Sequence, residues 1–206
     1  MSDIAHLAAE LFRRAAGRDR FIVGIAGPPA SGKSTLAERL RALLGEAAAL
    51  VPMDGFHLDN AVLSARQLLA RKGAPETFDF DGFEATLKRL RAPGADVVVP
   101  LFDRVADLAR AGAGIVPASA RFVIVEGNYL LLDEEPWTRL AGLFDRTVYL
   151  DVPRGELAHR LVQRWIDHGL SEQAARERAF SNDMVNVQRV EDRRRTADTV
   201  IGARIR

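Results

Sequence analysis

Gly27-Pro28-Pro29-Ala30-Ser31-Gly32-Lys33-Ser34 decides the reading of this chain. Two glycines, a lysine and a serine stand at the spacing of a phosphate-binding loop. Phe21-Ile22-Val23-Gly24-Ile25-Ala26 before it has the pattern of a buried strand, and Leu36, Leu40, Leu43 and Leu44 after it share one face of a helix. Strand, glycine loop and helix, in that order, are the context such a loop requires. The chemistry accounts for the spacing. Successive backbone N–H groups converge on phosphate oxygens where side chains are small. The opening of the helix adds free N–H groups and the positive end of its dipole. Lys33 can then reach the terminal phosphates as a point charge, and Ser34 offers a hydroxyl to Mg²⁺. Gly27, Pro28, Pro29, Ala30, Ser31, Gly32, Lys33, Ser34 and Thr35 are the expected contacts of a nucleoside triphosphate.

The remaining composition narrows the class. A length of 206 residues suits one α/β domain spanning 1–206, and 48% hydrophobic residues can fill its core. Lys and Arg number 29 against 28 Asp and Glu, so no basic footprint for nucleic acid exists. With no cysteine, disulfides, thiolate catalysis and Cys-ligated zinc are excluded. The four histidines lack metal-site spacing. Met1-Ser2-Asp3-Ile4-Ala5-His6 is not the basic-then-apolar pattern of a secretory leader, and no apolar run is long enough to span a membrane. The expectation is a soluble cytoplasmic protein without membrane or nucleic-acid partners.

Working outward, Ile4, Leu7, Ala8, Leu11, Phe12 and Ala15 recur at helical spacing, with Asp3 as N-cap and Gly17 as stop. A second strand over 47–53 ends at Asp54-Gly55-Phe56-His57. A helix is expected over 61–71, a loop over 77–82 and a helix over 83–90. Val97-Val98-Val99-Pro100-Leu101 reads as a strand, with Pro100 pointing to an edge. Gly112-Ala113-Gly114 reads as a turn into Ile115-Val116, its hairpin partner. Strands follow at 121–125, 147–151 and 199–201, a long helix at 154–168 and another opened by Ser171 as N-cap. Arg193-Arg194-Arg195 reads as a solvated surface run. This alternation predicts a mainly parallel sheet with helices on both faces, and ligands at the carboxyl ends of its strands. Gly27, Asp54 and Glu126 all fall there.

Further positions carry chemistry. Asp54, directly after a strand, suits a carboxylate that orients an acceptor hydroxyl and takes its proton; a turn or N-cap Asp is the plain alternative. Glu126 ends a buried strand, where an acid can hold Mg²⁺ or its water. Asn128 and Tyr129 follow it and either line the same mouth or cap a helix. Arg160 and Arg164 lie four apart on one helix beside Gly169, placed to close over phosphates as part of a mobile lid around 154–172, or to form a solvated face.

Together these stretches resemble the phosphoribulokinase, uridine kinase and pantothenate kinase group of small-molecule kinases. The resemblance runs through the loop 27–34, Met53-Asp54-Gly55-Phe56-His57, Thr77-Phe78-Asp79 and Pro100-Leu101-Phe102-Asp103. It continues through Val125-Glu126-Gly127-Asn128-Tyr129-Leu130-Leu131-Leu132 and 160–164. It is strongest to a bacterial branch named for a fructose transport system kinase, which shares Trp137 and Ser181-Asn182-Asp183 with Asn186. It implies a three-layer, nucleoside-monophosphate-kinase-like fold with a five-stranded parallel core. It implies ATP and Mg²⁺ as cofactors, with Lys33, Asp54 and Arg164 catalytic, and Ser34 and Glu126 on the metal. His57, Asp79, Asp103, Arg104, Asn128 and Tyr129 become the expected contacts of a small alcohol acceptor, such as a sugar. A homodimer stays open. One departure counts against uridine: Asp107 stands where uridine kinases carry a His.

A nucleotide-dependent switch is the competing class. A GTPase would need an Asn-Lys-x-Asp motif and an ABC-type ATPase a Ser-Gly-Gly signature; the chain has neither. Asp79-Phe80-Asp81-Gly82 matches Asp-x-x-Gly in form, but no buried strand precedes it.

Overall fold

The computed structural model describes residues 3–92 and 94–202. Its elements in chain order are α1 (Asp3–Arg14), β1 (Phe21–Ala26), α2 (Lys33–Leu44), β2 (Ala48–Pro52), α3 (Asn60–Ala65) and α4 (Phe80–Arg91). Then come β3 (Val97–Asp103), β4 (Leu108–Val116), β5 (Phe122–Gly127), β6 (Arg146–Asp151) and α5 (Arg154–Asp167). Last are α6 (Glu172–Arg178), a π-helical turn (Ala179–Asp183), α7 (Met184–Asp192) and β7 (Thr199–Gly202).

Five strands form one sheet in the order β2-β5-β1-β6-β7, and every pairing in it is parallel. This is the expected three-layer α/β architecture. β1 and β5 are buried along their whole length, which is why both read as near-continuous apolar runs. Alternation within β1 splits the core between two faces. Phe21, Val23 and Ile25 meet Leu7 and Leu11 of α1 and Leu36 and Leu40 of α2. Ile22 and Ala26 turn the other way, toward Phe83 and Leu87 of α4 and the buried Trp137. A smaller cluster of Val152, Leu157, Leu161, Ala179 and Val187 ties α5 to the π turn and α7. β3 and β4 form a separate antiparallel hairpin.

Several expectations are corrected. α1 already contains Asp3, so Asp3 is its first helical residue and not its N-cap. The helix expected over 61–71 stops at Ala65, and Gln67 takes a left-handed φ of 58°. α4 starts at Phe80 instead of 83, because the Asp79 side chain accepts from the Gly82 N–H and caps it. Gly112-Ala113-Gly114 lies inside β4, and the hairpin turns at 104–107 instead. There the Asp103 carboxylate accepts from the N–H groups of Val105 and Ala106, and Asp107 adopts φ 52°. Asp tolerates both roles, so the turn needs no glycine. Arg194 stacks on Tyr149 at 4.1 Å and Arg195 donates to the Leu130 carbonyl, so that run packs against the domain.

Candidate active site

β1 delivers the loop 27–34 into α2, as the sequence predicts. Ala30 and Gly32 take left-handed φ of 62° and 97°, which bends the backbone into a cradle. A Cβ on Gly27 would stand 3.1 Å from the Leu150 carbonyl of β6, so this position has no room for a side chain. Lys33 is buried and donates to the Pro28 carbonyl at 2.9 Å. Burial pushes its ammonium down to about 8, against the raising influence of Glu126 and Asp54.

β5 brings Glu126 to the same place. Its carboxylate accepts from the Ser34 hydroxyl at 3.1 Å. Burial raises Glu126 from its ordinary value, opposed by the charge of Lys33. A hydroxyl beside a carboxylate is an oxygen donor set that suits Mg²⁺, which keeps most of its shell for water and phosphate. No cluster of three or more His, Cys, Asp or Glu with metal-binding geometry exists among the described residues.

β2 ends at Pro52, and the 3₁₀ turn Met53–Phe56 presents Asp54. Asp54 pairs with Arg104 of the hairpin turn at 3.0 Å. His57 Nδ1 lies 2.8 Å from the Asp54 carbonyl, and its ring packs on Phe78 and Phe102 at centroid distances of 4.1 and 4.8 Å. Burial lowers the His57 pKa. Lys72 pairs with Asp107 at 2.8 Å and lies over Phe102, which anchors the tip of the hairpin. On the opposite wall α5 contributes Arg164, which pairs with Asp183 of the π turn at 3.4 Å. Trp165 Nε1 donates to the same Asp183 oxygen at 2.6 Å. Arg160 reaches the Ala30 carbonyl at 3.2 Å, tying α5 to the phosphate-binding loop.

One cavity of about 700 Å³ joins these groups. Lys33, Ser34, Asp54, Glu126 and Arg164 all line it, as do His57, Arg104 and Asn128. Three residues expected at the acceptor do not. Asp79 caps α4 and Asp103 caps the hairpin turn. Tyr129 is fully buried against Phe78 and Trp137, with its hydroxyl on the Gly73 carbonyl. Sequence reasoning passed over Lys72, Trp165, Arg178 and Asp183 as parts of this wall. The aromatic–cation order of Arg164-Trp165 is a weak signal for the second of these.

The family model described as Phosphoribulokinase / Uridine kinase family matches residues 22–201. The chain belongs to that family. It is an ATP-dependent small-molecule kinase, and the competing switch class falls. The uncharacterized Escherichia coli (strain K12) protein YggC is 37% identical over 88% of this chain and 77% of its own. A Schizosaccharomyces pombe protein provisionally named a uridine kinase is 33% identical, covering 97% of this chain and 88% of its own. A crystal structure from Silicibacter sp. TM1040, provisionally named a fructose transport system kinase, superposes with TM-score 0.93 at 46% identity, over 98% of this chain and all of that one. No helix of the described kinase residues is long and apolar enough to cross a membrane.

Proposed function

We propose that this kinase moves the γ-phosphoryl group of Mg·ATP to a hydroxyl of a small sugar-type metabolite, with Asp54 as the base. The observation that carries the reading is the placement of Asp54 in one cavity with Lys33, Ser34 and Glu126. The acceptor oxygen attacks the γ-phosphorus, the bond to the β-phosphate oxygen breaks, and ADP leaves. The hydroxyl proton passes to the Asp54 carboxylate. Because the transition state is loose, that proton leaves late and the carboxylate first serves to orient the hydroxyl. Lys33 leaves the Pro28 carbonyl for the β- and γ-phosphates. Arg164 leaves Asp183 for the γ-phosphoryl oxygens as α5 and the segment to 172 close as a lid. Ser34 and Glu126 are the residues that would hold Mg²⁺, which when bound neutralises charge on the phosphates. A cytoplasmic, ATP-rich setting goes with this reading.

His57, Phe102 and Asn128 offer apolar ring faces and one amide to the acceptor, a combination suited to a polyhydroxylated ring. The name of the Silicibacter relative makes fructose the first acceptor to try. The experiment is an ADP-release assay coupled to product detection over sugars, sugar derivatives, nucleosides and pantothenate. Phosphorylation of a sugar-type compound in preference to nucleosides supports the reading. A clear preference for a nucleoside or for pantothenate replaces it.

A further inference from the structure

The contact between Arg104 and Asp54 is odd for a base in waiting. The guanidinium occupies Asp54 Oδ2 at 3.0 Å, one of the two carboxylate oxygens able to receive an acceptor hydroxyl. The arginine is held loosely at its other end: its side chain is 67% exposed, and it stands in the turn between β3 and β4. The turn itself does not depend on it. Asp103 caps the backbone there, and Lys72 clamps the tip through the carboxylate and the carbonyl of Asp107. Arg104 can therefore swing without the hairpin moving.

The charges on the cavity wall say what would draw it away. Lys33 and Arg164 face the nucleotide in the proposed mechanism, and Lys72 is neutralised by Asp107. Arg104 and Arg178 remain. Arg178 is held in place by the Ala70 carbonyl at 3.1 Å and by the face of Trp165 at 5.1 Å, and it has no ion pair among the described residues. A cation fixed by neutral contacts in a cavity wall is a receptor for an anion. Of the cavity's carboxylates, Asp54 is the one in direct contact with Arg104, and none is paired with Arg178 among the described residues.

We propose that the acceptor carries an anionic group, a carboxylate or a phosphate, and that Arg104 is the specificity-determining residue that reads it. An exposed single-contact ion pair is weakly held, whereas a guanidinium grips a carboxylate or phosphate through two parallel hydrogen bonds. Binding of such an acceptor transfers Arg104 from Asp54 to the anion. The Asp54 carboxylate opens at the moment a hydroxyl arrives beside it. Without the acceptor Asp54 stays masked, and water is not activated against ATP. This rests on Asp54 acting as the base.

The test compares matched acceptors: a neutral sugar, its sugar acid and its sugar monophosphate, each with the parent and with Arg104→Met. The parent should favour at least one anionic member by on the order of 10²-fold in kcat/KM, and the acid and monophosphate arms tell carboxylate from phosphate. Arg104→Met should lose most of that preference, mainly through KM, and should release ADP several-fold faster than the parent when no acceptor is present. A parent that prefers the neutral sugar overturns the proposal while leaving the sugar-kinase reading intact. So does an Arg104→Met protein with the parent's anion preference and the parent's idle ADP release. Absence of phosphate transfer to any sugar-derived compound, with normal ATP binding, would instead overturn the sugar-kinase reading.

Discussion

Lys33 is a buried ammonium whose pKa stands near 8 in the free protein, because burial strips its water and the nearby acids only partly compensate. Docking of a triphosphate brings several negative charges to it and must raise that pKa again. ATP binding is therefore coupled to proton uptake. A group with pKa 8 is about one-tenth neutral at pH 7, about half at pH 8 and about nine-tenths at pH 9. Titration calorimetry in buffers of different ionisation enthalpy should find those fractions of a proton taken up per ATP bound. The terminal phosphate, itself about one-tenth protonated at pH 7, can offset the small uptake there, but its last proton is gone by pH 8, so the values at pH 8 and 9 carry the test. By linkage, ATP affinity should fall about fivefold between pH 8 and 9 and approach tenfold per pH unit beyond. For the free protein the sign is the reverse. The folded pKa lies below the unfolded value, so Lys33 opposes folding below pH 8 and the penalty fades between pH 8 and the unfolded pKa. NMR of the lysine Cε resonance reads the titration directly. A Lys33 signal titrating near the ordinary lysine value, or uptake that does not change from pH 7 to 9, would refute the reasoning.

Asp54→Asn keeps size and hydrogen bonding but removes the charge and the proton-accepting oxygen. ATP affinity should stay within a few-fold while transfer drops by on the order of 10²-fold; a near-parental rate returns Asp54 to the role of a turn residue. Arg164→Ala should lower kcat by roughly 10²-fold or more with a smaller change in ATP KM, since in the proposed mechanism Arg164 leaves Asp183 for the transferring phosphoryl group. Unchanged kcat would leave Arg164 as a surface residue. Tyr129→Phe removes only the bond to the Gly73 carbonyl, so it should cost about 1 kcal/mol in a denaturant melt and leave acceptor KM alone. A raised KM at parental stability would put Tyr129 back at the acceptor.

How far the sequence carried depends on what kind of signal each element sends. The strands β1 and β5 are buried on both faces, so their apolar runs survive any detail of packing. The phosphate-binding loop is local chemistry, closed within eight residues, and it needs no tertiary partner to be read. The hairpin was misplaced for the opposite reason. Its turn is made by Asp103 and Asp107 and by the distant Lys72, while Gly112 and Gly114 lie inside β4, Gly112 at φ 68° where the register shifts and Gly114 against Val99 and Leu101. Tyr129 follows Glu126 closely enough to suggest the same mouth, yet the chain has left β5 by then and its ring falls into the aromatic cluster around Trp137. Asp183 is legible only as part of the shared Ser181-Asn182-Asp183 segment, without its role, and Arg178 not at all. Their place comes from partners 13 to 19 residues away on α5, and no spacing rule links a π turn to that helix.

The two acids of the site share a feature that explains this division. Asp54 and Glu126 are each followed by glycine, and by sequence either pair passes for a turn. A Cβ on Gly55 would lie 2.3 Å from the Pro100 carbonyl oxygen, and one on Gly127 would lie 2.5 Å from Met53 Cβ. Neither glycine is there for a left-handed bend; each is there because another chain segment already fills the space. The backbone of β3 rests directly on the turn that carries Asp54. That close approach falls where the β3–β4 register shifts between Val99 and Leu101, around a proline that has no N–H to give the ladder. Met53 in turn is wedged under the end of β5. Asp54, Glu126 and the root of the hairpin are thus closely stacked, while the side chain of Arg104, beyond the packed part of β3, is exposed. In the proposed mechanism, a firmly held base and metal-side carboxylate with one exposed arginine on the base are an arrangement that phosphoryl transfer, which depends on positioning, can use to tell its acceptor from water.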